Sequence, residues 1–481
     1  MKEQSLKQKT VGALLWNLLD RMGQQVLLFI VGIIVANILS VEDYALVGML
    51  AIFTAIANIV LDSGFSSALI RKQDATEEDY SSVFYFNLSI SVVLYAILFF
   101  AAPYIAQFYN QPLLTDLTRI IFLSLPFNSL SLIQNTLLNK KIEFKRLAKI
   151  NFISLLISGG CSLAMAYNGM GVWTLAWQPV ILSFSKSALL WMSNKWRPKL
   201  IFQLSNIQSL FGFASSLLLA SLINSIFTNI YSVAIGKLYP TKDLGYYSQG
   251  NKISLMVISS IYSSLQAATY PIFSSIQDDK ERSIRSYRKT IRFTAFLTFP
   301  LMIGLVSIAE PLISILLKKE WAGCIPFFQL TCIAGIFTIL TSINQNFIKV
   351  YGRSDVIFKL EIVRTVLIIL GLLVSLKESA LVMIGIQTLI QAIIYLISII
   401  YIGHSIEYSW TKQLKDILPY TVISVLMWGL LVIPEYYIGS YYALLLTKMT
   451  IGILFYYITN KYLGSQILRE AVEILFKQKS K

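Results

Sequence analysis

Apolar stretches of 18 residues or more recur along almost the whole chain, and this recurrence limits the fold more than any other feature. A bilayer's hydrocarbon core is ~30 Å thick, and a helix rising ~1.5 Å per residue crosses it in ~20 residues. Lipid offers no partners to backbone N–H and C=O groups, so a crossing segment is a helix or part of a closed barrel. Barrel strands read as alternating segments of ~10 residues, and these stretches do not alternate. The chain is therefore expected to be an all-α polytopic membrane protein. About 14 transmembrane helices fit, near residues 10–38, 43–66, 81–108, 114–138, 147–167, 171–192, 207–235, 245–273, 288–317, 323–349, 355–376, 379–402, 415–434 and 441–463.

The positive charges support this count. With both termini placed in the cytoplasm, 29 of the 40 Lys and Arg residues fall in inside segments, 6 in outside segments, and the remainder within spans. That asymmetry is the positive-inside pattern. The net charge of +15 is thus read as a topology signal rather than a nucleic-acid footprint. Charged residues make up only 14% of the chain, against about 25% in soluble domains. Cys161, Cys324 and Cys332 lie in apolar contexts without disulfide or metal spacing, and His404 has no ligand companions. The polar, basic start runs into a long apolar segment without a small-residue cleavage site, so it reads as a retained first span. No loop exceeds about 15 residues, which leaves no room for a soluble domain. After the last span, Ile467, Leu468, Ala471, Val472, Leu475 and Phe476 share a helical face. This tail, 466–481, is either an amphipathic helix on the anionic cytoplasmic leaflet or a frayed end.

The two halves echo each other. Asp43-Tyr44 and Asp243-Leu244 open two spans, Pro103 and Pro311 lie late in two others, and Asn135 and Asn346 in two more, at offsets of 200, 208 and 211 residues. Constant order and topology imply two six-helix lobes in a parallel pseudo-two-fold repeat, with a substrate site expected between them. The lobes are drawn as 1–200 and 201–405, with two extra C-terminal helices in 406–465. Gly245, Gly250, Pro103 and Pro311 are the expected hinges.

Charges inside the spans carry the functional expectation. Asp20 and Arg21 lie near the middle of the first apolar segment, where an ionised group costs at least ~2.5–3.5 kcal/mol. Asn17, Asp20, Arg21 and Gln24 share one helical face. That stripe either lines a cavity or contains an Asp–Arg pair that neutralises itself. Lys252 lies in the unusually polar run 246–252, which opens the second lobe's counterpart of span 2. Arg21 and Lys252 would offer desolvated cations from the two lobes to an anionic, pyrophosphate-bearing substrate. Glu361 and Arg364, three residues apart, are either a self-satisfied pair or part of a site, Arg364 on the substrate and Glu361 on a coupling ion. Lys186 reads as snorkelling to the cytoplasmic interface, Asp62 as capping a break at Gly64, and Lys448 as facing a neighbouring C-terminal span. No phosphate-binding Walker loop, HExxH or GxSxG occurs, and there is no large outer loop with paired carboxylates. The chain is not expected to be an enzyme, and no cofactor is implied.

The Glu42-Asp43-Tyr44 and Asp243-Leu244-Gly245-Tyr246-Tyr247 starts, Ala102-Pro103, and the six-plus-six-plus-two plan resemble the polysaccharide-transporter branch of the multidrug/oligosaccharidyl-lipid/polysaccharide superfamily. The nearest subgroup is the Wzx-type O-antigen and colanic-acid exporters. The resemblance implies a flippase that carries undecaprenyl-pyrophosphate-linked oligosaccharide across the bacterial inner membrane by alternating access, coupled to Na+ or H+. It implies as partners the lipid-linked substrate, membrane lipids and other glycan-pathway membrane proteins. In some relatives sodium sits among spans 7, 11 and 12. Spans 7 and 12 carry no acid here, so a proton on Asp20 or Glu361 is an equal candidate. The alternative within the superfamily is a cation-coupled multidrug antiporter, which would favour acidic, aromatic cavity residues.

Overall fold

The computed structural model describes residues 2–62, 64–72, 74–406 and 408–477; some side chains within these limits, including Asn17, His404 and half of those in the last helix, lie outside the described residues. The chain divides into two compact units, 1–245 and 246–481. Among the described residues the regular structure is helical, with no strand.

Unit 1 holds α1 (Lys2–Ala36), α2 (Val41–Met49), α3 (Ala51–Asp62), α4 (Phe65–Arg71), α5 (Glu77–Tyr109), α6 (Leu114–Ile121), α7 (Ser124–Lys140), α8 (Phe144–Tyr167), α9 (Val172–Ser193) and α10 (Leu204–Leu238). The starts of α2 and α5 are fixed by the same local chemistry. Ser40 accepts from the Asp43 amide at 3.2 Å while Asp43 accepts from the Ser40 amide at 3.0 Å. Thr76 and Asp79 repeat the arrangement at 3.2 and 2.9 Å. Each box satisfies two donors that a helix N-terminus would leave open. Lys72 adds an ion pair to the buried Asp79 at 2.7 Å. The break that the sequence suggested near Asp62 is present: Gly64, at φ 72°, separates α3 from α4. A side chain is disfavoured at that φ and glycine is not. Asp62 itself is exposed.

α1 packs along α8, α8 along α9, α5 and α9 along α7, and α10 against α3 and α5. The connection between α9 and α10 is tied down rather than loose. Trp196 donates to Glu77 at 2.8 Å and its carbonyl accepts from Gln134 at 3.1 Å. The Lys199 and Gln203 amides donate to Ser81 and Ser82 at 3.1 and 3.0 Å.

α11 (Thr241–Ser275) leads into unit 2, which continues with α12 (Lys280–Ser307), α13 (Ala309–Leu316), α14 (Cys324–Val350), α15 (Ser354–Ser375), α16 (Ala380–Ile406), α17 (Trp410–Val432), α18 (Tyr441–Tyr462) and α19 (Gln466–Lys477). α12 packs on α14 and α17, α14 on α16, α16 on α15, and α18 on α17 and α13. A buried polar seam joins them. The Tyr287 hydroxyl lies 2.7 Å from Asn344 Oδ1 and 3.1 Å from Gln413 Oε1, and Asn344 donates to Ser398 at 2.6 Å. Bonds between polar side chains of neighbouring helices hold such a bundle where lipid gives no hydrophobic drive. Arg288 grips Asp416 through two contacts at 2.5 and 2.8 Å.

Among the described residues helix runs through most of each segment drawn from sequence, with breaks at Leu50, Gly64, Phe122-Leu123 and Ile308. Among the described residues, nine helical stretches are long and apolar enough to cross a bilayer on their own composition. The polar α11 is not among them. The chain is a multi-pass membrane protein. α5 runs unbroken through Pro103, and Pro311 lies in the first turn of α13, where no helical hydrogen bond is lost. The break there falls at Ile308. Gly245 lies against the backbone of Val41, and Gly250 against that of Cys324 and Phe328. Both glycines permit close approach of a neighbouring backbone.

Candidate functional site

In unit 1 the site grows from α1. Asp20 is half-buried, and both carboxylate oxygens are engaged: Gln24 Nε2 donates to Oδ1 at 2.7 Å and Asn151 Nδ2, on α8, to Oδ2 at 3.0 Å. The first bond spans one helical turn, and the second reaches the helix along which α1 packs. Two amide donors stand in for part of the hydration that the carboxylate loses at this depth. Lys186, half-buried on α9, lies within the electrostatic reach of Asp20. Its ammonium makes no hydrogen bond or ion pair among the described residues.

Arg21 is exposed, and among the described residues the Asp20 carboxylate is bonded to Gln24 and Asn151 rather than paired with Arg21, so the self-neutralising pair considered from sequence does not form. Adjacent helical side chains diverge by about 100°, which explains the separation. Gln24 serves Asp20 directly, and the Asn17 side chain lies outside the described residues. Nearby, Lys145 sits 5.4 Å from the Trp16 ring centre, and Arg146 is occupied by Glu143 at 3.2 Å.

In unit 2, α11 buries Tyr247, Gln249, Gly250, Ile253 and Ser254 and leaves Lys252 exposed. Ser254 donates to Thr331 of α14 at 2.8 Å, which fixes the rotation of α11 beneath the lysine. Glu361 and Arg364 pair with each other at 2.9 and 3.0 Å, and Gln345 of α14 donates to Glu361 at 3.3 Å. Arg364 Nε is buried without a partner. The pair is neutral overall, so Arg364 projects a weaker field than Arg21. Lys448 is fully buried, donating to the Ser307 carbonyl at 2.7 Å and pairing with Glu435. It ties α18 to the end of α12, a structural task that accounts for its charge.

Sequence reasoning missed Asn151 and Gln345. Asn151 is a lone amide in an apolar run and Gln345 one of three consecutive amides, and helical periodicity gives no means of pairing either with a carboxylate on another helix.

The family model described as polysaccharide biosynthesis protein matches residues 34–326. The teichuronic acid biosynthesis protein TuaB of Bacillus subtilis (strain 168) is 26% identical over 356 residues, covering 74% of each chain. The succinoglycan biosynthesis transport protein ExoT of Rhizobium meliloti (strain 1021) is 26% identical over 352 residues, covering 73% of this chain and 71% of that one. Among solved structures, the lipid II flippase MurJ in an inward closed conformation superposes with a TM-score of 0.77 at 16% identity, over 94% of this chain and 100% of that chain. At that identity the likeness speaks for the fold.

Proposed function

This chain belongs to the polysaccharide biosynthesis protein family, and from that membership we propose that it is a flippase for undecaprenyl-pyrophosphate-linked oligosaccharide in the bacterial inner membrane. Arg21 on α1, in the first compact unit, and Lys252 on α11, in the second, are exposed cations well inside helices assigned to the membrane, and this observation carries the chemistry. The substrate's pyrophosphate cannot cross ~30 Å of hydrocarbon unaided. A guanidinium offers it a planar fork and an ammonium a compact point charge. The polyprenyl tail stays in lipid while the polar head is carried. Fourteen spans with both termini in the cytoplasm complete the topology, and the two-lobe division allows alternating access.

The coupling ion engages Asp20 or Glu361, the two carboxylates held by amides from neighbouring helices. Gln24 then positions the first and Arg364 balances the second. The relatives' names, polysaccharide transport among them, favour lipid-linked sugar over the organic cations of a multidrug antiporter. The test is reconstitution of this chain alone into vesicles, offered a lipid-linked oligosaccharide in one arm and a cationic dye in the other. Movement of the first and not the second is expected. Dye exchange without lipid translocation overturns the proposal.

A further inference from the structure

We infer that the outward face of α11, from Met256 to Tyr270, binds the sugars of the substrate and selects an uncharged glycan. This rests on the flippase function proposed above, in which Lys252 at one end of the face meets the pyrophosphate. Lys252, Met256, Ser259, Ser263, Gln266 and Tyr270 follow one another at alternating intervals of four and three residues, and so share one side of the helix. All six are exposed or half-buried. The opposite side carries Ser254, Ile258, Leu265, Thr269 and Phe273, all buried. It is held on α14 at two levels, Ser254 donating to Thr331 at 2.8 Å and Asn346 donating to Thr269 at 2.9 Å. Packing thus fixes which residues α11 turns outward.

Those residues do not suit lipid. α15 of the same unit exposes Ile362, Val366, Ile369 and Leu373 at the same four-and-three spacing, as a lipid-facing helix should. α11 presents hydroxyls, an amide and phenols there instead, and polar side chains at membrane depth face water or a polar ligand. A face built only for close helix contact would carry small residues throughout, and Tyr262, Gln266 and Tyr270 project too far for that. The Ser259 and Ser263 hydroxyls donate to carbonyls of their own helix, Met256 O and Ser260 O, both at 3.2 Å. Each oxygen keeps lone pairs for an outside donor. Gln266 donates to the Tyr262 hydroxyl at 3.1 Å, which leaves Tyr262 its own proton to give. Tyr262 and Tyr270 are both exposed and stand ~12 Å apart along the axis. Acceptors, donors and aromatic faces along one track match a sugar chain, whose hydroxyls give and accept and whose ring C–H faces are apolar. Charge narrows the class further. From Ile253 to Ser275 the chain has no Asp, Glu, Lys, Arg or His. An acidic sugar would lie on this face without a counter-charge, a cost that an uncharged hexose does not bear. The face runs ~27 Å from Lys252 to Tyr270, room for several sugars in line.

The experiment uses the purified full-length chain in nanodiscs and compares the binding of three probes. They are farnesyl pyrophosphate, the same lipid carrying a disaccharide of glucose, and the same lipid carrying a disaccharide whose second sugar is glucuronate. Wild type is expected to bind the glucose probe about tenfold more tightly than the bare pyrophosphate, the worth of one or two good hydrogen bonds. It is expected to bind the glucuronate probe about threefold or more below the glucose probe. Tyr270→Leu and the double substitution Ser259→Ala/Ser263→Ala are each expected to cut the advantage of the glucose probe to about threefold or less. Retention of the full advantage in both variants overturns the inference. Equal weakening of all three probes makes the face structural and also overturns it. Should a loss variant fail to fold, Gln266→Lys decides, because it places a cation on the exposed face: the preference is expected to turn toward glucuronate, and an unchanged preference overturns the inference. Wild type that binds farnesyl pyrophosphate but gains nothing from glucose overturns the inference and leaves the flippase proposal standing. Wild type that binds none of the three probes removes both.

Discussion

Replacing Gly245 with alanine places a methyl group where the structure has no room for one. The added Cβ would sit 2.3 Å from the Val41 carbonyl oxygen and 2.6 Å from Val41 Cγ1. Carbon–oxygen contacts in proteins settle near ~3.3–3.6 Å, so α11 and α2 must part by about 1 Å. Overpacking of this kind costs about 1–3 kcal/mol, and a clash against backbone, which cannot rotate away, belongs at the top of that range. With ~2–4 °C of unfolding temperature per kcal/mol for a unit of 150–250 residues, the expected fall is about 6–12 °C. Gly250→Ala meets Cys324 O and Phe328 N at 2.9 Å, a milder overlap, for which about 1–2 kcal/mol is expected. Gly385→Ala in α16 meets nothing within 4 Å and should be neutral or stabilising by up to ~1 kcal/mol through helix propensity. Thermal unfolding of the three purified variants, followed by tryptophan fluorescence, gives the order. If Gly245→Ala unfolds within about 2 °C of wild type, the shift of 1 kcal/mol or less, close packing is the wrong account and a flexible role regains its ground.

Glu435→Ala strands the buried Lys448 ammonium, though Glu435 is itself 40% exposed; the loss is expected to be about 1–3 kcal/mol, below the range for fully buried pairs. Glu435→Ala/Lys448→Met should recover most of it in the same unfolding assay, since no charge is left buried. Asp79→Ala removes a capping box and the Lys72 pair together, for an expected ~1–2 kcal/mol seen as faster amide exchange in the first turns of α5. Asn151→Ala strips one donor from Asp20 and should alter the ion dependence of transport at least as much as its maximal rate; an unchanged ion dependence removes Asp20 from coupling. If Asp20 is the proton carrier, Asp20→Asn abolishes pH dependence of transport, and if Glu361 is, Glu361→Gln does so instead.

Helix positions were legible because hydropathy and length report directly on them. The alternation of basic loops likewise depends only on local composition. Pairings were not legible. Asp20 meets Asn151 131 positions away, and Lys448 meets Ser307 141 positions away. Periodicity assigns a residue to a helical face but says nothing of which helix covers that face. Arg21 shows the same limit in reverse: adjacency suggested a pair with Asp20, whereas helical geometry turns the two apart. Glycine was ambiguous in kind, since Gly64 takes a conformation that other residues avoid while Gly245 and Gly250 are ordinary helix that must lie close to a neighbour.

The central claim is that this chain moves a pyrophosphate-linked oligosaccharide by means of cations supplied by its two units. Proteoliposomes containing only this chain, loaded with radiolabelled undecaprenyl-pyrophosphate oligosaccharide, test it most directly when wild type is set beside Arg21→Ala and Lys252→Ala. The account predicts translocation by wild type and its loss in both variants, with each variant monodisperse and unfolding near the wild-type temperature. Translocation that persists in folded variants contradicts the assignment of the cations, and wild type that moves no lipid-linked sugar contradicts the function.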